Sequence, residues 1–319
     1  MKLSRVITIS MSGDDVTFLQ TNLKNFGFLK ERIDGYFGQN TLVAVTNFQR
    51  KMNIKADGVV GSLTWSKMMN YGKPVEVKVV AVPKYEDIPL KVSHIGESGF
   101  KIYDCLLSDD EYIKKETRKE TIYLHHTAGG SRPDWTVGGW EKDTDNNGNS
   151  LKVATAYVIG RKSSSSNESI WDGKIIRTFD DRYWAYHLGI KKDNVELNSK
   201  SIGIEICNYG PLTKRGDVFY NYVNKPITES AVVKLDKPFR GYQYYEKYTE
   251  YQIESLRLLI LYLSNRWGIE IEKGIYNEEW FEYNEKWFTN GGLRSHTQVR
   301  KDKIDVFPQP DLIEMLNSL

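Results

Sequence analysis

Ser201-Ile202-Gly203-Ile204-Glu205-Ile206-Cys207 reads as a β-strand by strict alternation. Ile202, Ile204 and Ile206 share one face, while Gly203, Glu205 and Cys207 share the other. A wholly aliphatic face needs a hydrophobic layer beside it, and a central glutamate marks the opposite face as polar. Working outward, Glu120–His125 reads as a second strand, with Ile122 and Leu124 set against Tyr123 and His125. Ala154–Gly160 and Gly173–Phe179 read as two more. The covering layer is legible at Thr249–Trp267, where Ile253, Leu256, Leu259, Ile260 and Leu263 form one helical stripe. Thr249 and Gln252 there have the spacing of a capping box. Pro310–Leu319 reads as a short closing helix. Together these elements predict an α/β domain over residues 96–319, a mixed central sheet flanked by helices.

Toward the N-terminus the apolar period becomes helical. Helices are predicted over Asp14–Phe26 (Val16, Leu19, Gln20, Leu23), Gln39–Met52 (Leu42, Val45, Phe48, Gln49) and Leu63–Met69. Between them the sequence repeats: Asp34-Gly35-Tyr36-Phe37-Gly38-Gln39-Asn40-Thr41 is echoed by Asp57-Gly58-Val59-Val60-Gly61-Ser62-Leu63-Thr64. Each Asp-Gly supplies a tight turn that opens into a helix, since glycine tolerates positive φ. A small three-helix domain over residues 1–72 is expected. Pro74, Pro83 and Pro89, with the alternating Val75–Val82 between them, predict a linker over 73–95.

Length and composition bound the function. The 319 residues suffice for two domains, and 40% hydrophobic with 27% charged residues is ordinary for a globular protein. With 44 basic and 42 acidic residues the net charge is +2, which gives no bulk electrostatic reason to bind nucleic acid. No stretch approaches the roughly 20 apolar residues that span a bilayer, so no stable membrane association is expected. Cys105 and Cys207 make no disulfide framework and fit a reducing compartment of synthesis. Met1–Ser10 lacks the apolar core of a signal peptide, which predicts that the chain stays in the cytoplasm where it is made. A monomer is expected.

The chemistry lies far apart in sequence. His125 ends a predicted strand, and His296 and Asp305 fall on a predicted loop between Gly291-Gly292 and Pro308. Two imidazoles and a carboxylate are the usual protein ligands of a catalytic zinc, with the fourth position left for water. Lys303, two residues before Asp305, puts a cation where an oxyanion can form. The set reads as a metal hydrolase. Asp143–Asn149 imitates the start of a calcium loop, but its twelfth position is Ala154 instead of a glutamate, so a solvated loop is expected.

Two resemblances sharpen this. Residues 12 to 69, with G-D-D-V-x-x-L-Q-x-x-L, D-G-Y-F-G-x-x-T-x-x-A-V-x-x-F-Q and A-D-G-V-V-G-x-x-T-W, resemble the peptidoglycan-binding module of cell-wall hydrolases. That implies a noncatalytic anchor for bacterial peptidoglycan, with Tyr36, Gln39 and Trp65 as exposed contact candidates. Residues 118 to 310, with Y-L-H-H-T-A-G, S-I-G-I-E and S-H-x-x-x-x-x-x-K-x-D, resemble the zinc-dependent N-acetylmuramoyl-L-alanine amidases of the type-2 family, related in fold to the peptidoglycan recognition proteins. The resemblance implies Zn2+ held by His125, His296 and Asp305, a catalytic Glu205, and Lys303 as the stabiliser of developing charge. His187, in Trp184-Ala185-Tyr186-His187-Leu188-Gly189, matches a histidine that lines the substrate groove. His126 faces the other side of its strand as a supporting residue, and His94 lies outside every motif.

Two departures stand out. Ala156 occupies a position where many relatives carry histidine. The segments 209–248 and 270–290 are long and rich in Tyr and Trp (Tyr242, Tyr244, Tyr245, Trp280, Trp287), and they either extend the groove or are packed insertions. The implied reaction is hydrolysis of the amide joining N-acetylmuramic acid to L-alanine. An anchor and an amidase in one chain resemble a phage endolysin, made in the host cytoplasm and acting on the wall after release. The alternatives are a host-encoded autolysin, a zinc-free recognition protein, and a glycosidase or endopeptidase that shares only the anchor.

Overall fold

Three helices, α1 (Asp14–Asn25), α2 (Gln39–Lys51) and α3 (Ser62–Asn70), enclose a core of Val16, Leu19, Leu23, Val45, Phe48 and Met68. In this computed structural model they belong to the first of two units, Met1–Val79, the second being Val80–Leu319. The structure describes residues 5–52, 54–71, 90–95, 100–164, 168–190, 194–289 and 291–319. Residues 73–89 of the expected linker lie outside these.

The repeat in the first unit rests on more than turn chemistry. Buried Gln20 donates from Nε2 to Asp34 Oδ1 (2.8 Å), Tyr36 O (3.0 Å) and Thr41 Oγ1 (3.0 Å). Its Oε1 accepts from the amides of Asp34 (3.1 Å) and Gly35 (2.9 Å). Gln49 repeats the pattern on Asp57 Oδ1 (3.1 Å), Val59 O (2.9 Å), Thr64 Oγ1 (3.2 Å) and the Gly58 amide (2.8 Å). Each glutamine therefore satisfies the backbone of a turn whose glycine sits at positive φ, 69° for Gly35 and 72° for Gly58. Trp65, expected at the surface, is 5% exposed and packs against Phe18 at 5.5 Å between ring centres. It shares the inward side of α3 with Met68, so core packing takes the indole away from any ligand. Tyr36 remains half exposed.

The second unit begins with β1 (Val92–Ile95), inside the stretch expected as linker, then β2 (Lys101–Asp104), β3 (Thr121–His126), α4 (Pro133–Trp140), β4 (Tyr157–Ile159) and β5 (Ile175–Arg177). It continues through α5 (Asn194–Ser199), β6 (Ser201–Ile206), a meander β7 (Thr213–Arg215), β8 (Val218–Tyr220) and β9 (Pro226–Ile227), and a hairpin β10 (Val232–Phe239) and β11 (Tyr242–Glu246). Then follow α6 (Glu250–Trp267), β12 (Gly292–Ser295), α7 (His296–Val299) and α8 (Pro310–Leu316). The main sheet has the order β1-β2-β5-β4-β6-β3-β12. The pairs β2/β5, β4/β6, β6/β3 and β3/β12 are parallel, whereas β1/β2 and β4/β5 are antiparallel. This is the mixed sheet that alternating strands and helices predict.

Alternation assigns the two faces of this sheet. Ile122, Leu124, Ile202, Ile204 and Ile206 join one apolar cluster with Ile253, Leu256, Leu259, Ile260 and Leu263 of α6. The helix starts where its capping box predicts: Thr249 Oγ1 accepts from the Gln252 amide (3.1 Å), and Gln252 Oε1 accepts from the Thr249 amide (3.2 Å). On the other face Tyr123 packs with Leu188, Ile190, Leu197 and Val299. His125 and Glu205 share that second face by the period of two.

One correction concerns the C-terminal ligands. Residues 292–295 form a strand parallel to β3, with Arg294 opposite Tyr123 and Ser295 opposite Leu124. His296 therefore opens a helix directly after a strand instead of lying on a loop. In the insertions, Tyr245 and Trp280 are buried in the main core and cannot line a groove.

Candidate metal centre

β6, β3 and β12 are neighbours and mutually parallel, so their C-terminal ends converge on one edge of the sheet. His125 stands at the end of β3, Glu205 is its register partner at the end of β6, and His296 follows β12. The carboxyl edge of parallel strands is where α/β proteins place their ligands. Asp305 is delivered by the turn after α7, where its carbonyl accepts from the Thr297 amide at 3.1 Å.

His125, His296 and Asp305 are buried, with one ligand atom of each lying within 4.8 Å of the others. The two Nδ1 atoms are 3.0 Å apart, and Asp305 Oδ2 lies 2.9 Å from His296 Nδ1 and 3.4 Å from His125 Nδ1. The opposite ring nitrogens are engaged elsewhere. His296 Nε2 is 2.9 Å from the Leu188 carbonyl, which can only accept, so Nε2 carries a proton and, in the neutral ring, Nδ1 carries the lone pair. His125 Nε2 is 2.9 Å from His187 Nδ1. Burial, and next the neighbouring His296, push His125 down to about 4, so near neutrality it is a neutral imidazole. Burial alone would raise Asp305, yet the neighbouring His296, and next the contacts with both imidazole nitrogens, oppose this and hold the carboxyl well below its usual range.

Two imidazole nitrogens and a carboxylate oxygen thus crowd around one point. Only a cation, a proton or a metal ion, relieves that contact. Two imidazole nitrogens and a carboxylate oxygen match the borderline donor set preferred by zinc.

Glu205 is half-buried, but its Oε2 is shielded from solvent and has no hydrogen-bond partner among the described residues. Burial, then the charge of Asp305, raise it well above the usual carboxylate range, with Lys303 opposing. A carboxylate held in this way is primed to carry a proton. Lys303 is half-buried beside the cluster, where its ammonium also disfavours protonation of His125. His126 points to the other face, where Nδ1 lies 3.0 Å from the Tyr248 hydroxyl, and it takes no part in the cluster. His94, in β1 and far along the sheet order, packs against Tyr262 of α6 with the rings tilted by 38°. His187, expected to face substrate, has both ring nitrogens engaged within the protein, the second one 2.8 Å from Ser201 Oγ. Gly203 gives it space: a Cβ there would stand 2.6 Å from Thr155 Cγ2 and 3.2 Å from His187 Cγ.

The insertions brace the ligand loops. Tyr222, in the turn between β8 and β9, donates to the Ala128 carbonyl at 2.6 Å, just after the histidine pair. Arg240, at the β10–β11 turn, donates to the carbonyls of Lys301 (2.9 Å) and Thr297 (3.3 Å) between His296 and Asp305. Residue spacing gives no sign of either tie. At Asp143–Asn149 the Asp145 carboxylate accepts from the amides of Asn147 (2.8 Å) and Asn149 (2.9 Å), a self-closed exposed turn.

A family model described as N-acetylmuramoyl-L-alanine amidase matches residues 115–305, and one described as a putative peptidoglycan binding domain matches residues 12–68. The spore cortex-lytic enzyme of Bacillus cereus is 43% identical over 61 residues, covering 19% of this chain and 24% of its own length. An N-acetylmuramoyl-L-alanine amidase of Mycobacterium tuberculosis is 42% identical over 52 residues, 16% of this chain and 13% of its own. An Escherichia coli N-acetylmuramyl-L-alanine amidase solved with an anhydro-muramyl peptide is 17% identical, covers 69% of this chain and 65% of its own, and superposes with a TM-score of 0.34. The chain spans half or less of the length of the curated relatives it matches, 49% for an uncharacterized Kitasatospora aureofaciens protein.

Proposed function

This chain belongs to the N-acetylmuramoyl-L-alanine amidase family, and from that premise we propose that it hydrolyses the amide between N-acetylmuramic acid and the L-alanine of the stem peptide. The observation that carries this is the buried meeting of His125 Nδ1, His296 Nδ1 and Asp305 Oδ2, with Glu205 directly across the ladder. These three atoms would hold Zn2+, which when bound lowers the pKa of water and polarises a carbonyl. Glu205 takes the proton of the attacking water on its carboxylate and later delivers it to the departing alanine nitrogen. The Lys303 ammonium faces the carbonyl oxygen as it gains charge, the kind of contact worth a few kcal/mol in a dry site, on the order of 3. The first unit anchors the chain to peptidoglycan, with Tyr36 as a contact, while Trp65 acts only in its core.

Coupling an anchor to an amidase supports a lytic role as a phage endolysin, held in the host cytoplasm until the membrane is breached. Expression inside a bacterium should leave cells intact until the membrane is permeabilised, and lysis should then follow.

Digestion of purified wall tests the chemistry. The zinc-loaded protein should release α-amino groups of alanine with no new reducing sugar ends, and a chelator should stop it. Reducing ends without alanine amines would replace the proposal with a glycosidase, and neither product would leave a wall-binding protein.

A further inference from the structure

We propose that the dipeptide His187-Leu188 is the element that aims both imidazoles at the metal, with Ser201 and Asn198 holding it in place. The inference rests on the reading of the His125, His296 and Asp305 cluster as a metal site. It concerns side chains whose polar atoms bond within the protein and act on the ligands through them, so His187 and Ser201 are positioning residues.

Hydrogen-bond direction can be followed from its fixed end. Ser201 Oγ lies 2.6 Å from the Leu197 carbonyl and 3.3 Å from that of Asn198, both acceptors only, so the hydroxyl hydrogen is directed there. Toward His187 Nε2, 2.8 Å away, the serine oxygen can therefore only accept, and Nε2 carries the proton. His187 Nδ1 is then left as an acceptor for His125 Nε2–H at 2.9 Å. This chain of donations leaves a lone pair on His125 Nδ1, aimed at the cluster. Reversing it would put a hydrogen on His125 Nδ1, in the 3.0 Å gap to His296 Nδ1, where it would exclude a metal ion. Such outer partners set the tautomer and orientation of a ligating imidazole.

The next residue does the same for the other ring. The Leu188 carbonyl accepts from His296 Nε2–H at 2.9 Å. One peptide unit thus sets two tautomers, one through a side chain and one through the backbone. The unit is itself clamped: the amides of His187 (2.8 Å) and Leu188 (3.1 Å) both donate to Asn198 Oδ1. Asn198 and Ser201 flank the junction of α5 and β6, the strand that carries Glu205. Gly203, one turn of the strand pleat further on, leaves the space that the His187 ring fills.

Zinc affinity, measured by competition with a chromophoric chelator, tests the relay alongside the absorption spectrum of the Co2+-substituted protein. His187→Leu removes the acceptor, and affinity should fall about 10- to 100-fold with a changed cobalt spectrum. His187→Asn restores an acceptor oxygen near the place of Nδ1 and should recover most of the loss. Ser201→Ala should weaken binding less, and adding it to His187→Leu should cost nothing further. A purely structural role would lower the metal-free melting temperature in both His187 variants alike, without rescue by asparagine. Wild-type protein that fails to bind zinc would overturn the centre and the relay together. Wild-type protein that binds zinc, with a folded His187→Leu variant of equal affinity, would overturn the relay alone.

Discussion

Glu205 and His125 are register partners in the parallel ladder between β6 and β3, so the proposed proton carrier and a metal ligand face the same side one strand spacing apart. Backbone pairing, not side-chain contact, fixes their separation. Glu205→Gln should therefore remove turnover by about 10²- to 10⁴-fold while leaving the zinc content unchanged. Steady-state rates with metal analysis of the same preparation check this. Loss of zinc in the variant would make Glu205 a ligand.

Asp305 is the one charged member of the cluster, and it stands within 3.4 Å of both imidazole nitrogens. Asp305→Ala should release the metal itself, seen as lost zinc stoichiometry, whereas Lys303→Ala should slow turnover with the metal retained. If Lys303→Ala instead empties the site, the lysine supports the ligand turn and not the reaction.

Zinc that binds only the folded unit should also stabilise it. With free zinc about 1,000-fold above its dissociation constant the gain is roughly 4 kcal/mol. Chelation should lower the unfolding midpoint of the catalytic unit accordingly, in calorimetry. An unchanged midpoint would mean that the folded unit binds zinc no better than the unfolded chain does.

Gln20 and Gln49 each serve several buried backbone and side-chain groups at once. Either glutamine replaced by leucine should strip those groups of partners and cost about 2–4 kcal/mol in the first unit, since each orphaned group costs about 1–3. Denaturant unfolding followed in the full chain measures this. A loss below 1 kcal/mol would mean that water replaces the amide.

Lys119 is buried, with its ammonium on the Ser199 carbonyl (2.8 Å) and Thr117 Oγ1 (2.9 Å). Burial pushes it down to about 7 against the opposing charge of Asp181. In an unfolded chain lysine titrates near 10.4. Between these values the unfolded state binds more protons, so stability should rise with pH across that window, by at most about 1.4 kcal/mol per unit. Lys119→Met should abolish that rise, and its advantage over the natural residue should grow as pH falls from 10 to 7 and then level off. Parallel stability curves for the two proteins would refute the shift.

The parts of this protein legible in sequence are those dictated by local pattern. Ile202, Ile204 and Ile206 announce β6, and Thr249 with Gln252 announces the start of α6. β12 is only four residues long and begins on the second of two glycines, so its identity comes from pairing with β3, from which it is far removed in sequence. The inward packing of Trp65 is not legible, because an indole on a short helix carries no sign of which side packs inward. The cluster His125, His296 and Asp305 was legible by residue type, but the partners of His187 were not. Ser201 bears on that ring through a side chain whose direction no spacing rule encodes.

The pairing of β12 with β3 also orders events in time. Synthesis runs from the N-terminus, and the strand that delivers His296 is made long after β3 and β6. Until residues 292–305 emerge, β3 presents a bare edge, and His125 and Glu205 wait beside it without a second imidazole. Pairing of β12 covers that edge of β3 and brings His296 to the cluster. The proposed site is therefore complete only when residues 292–305 have joined the sheet.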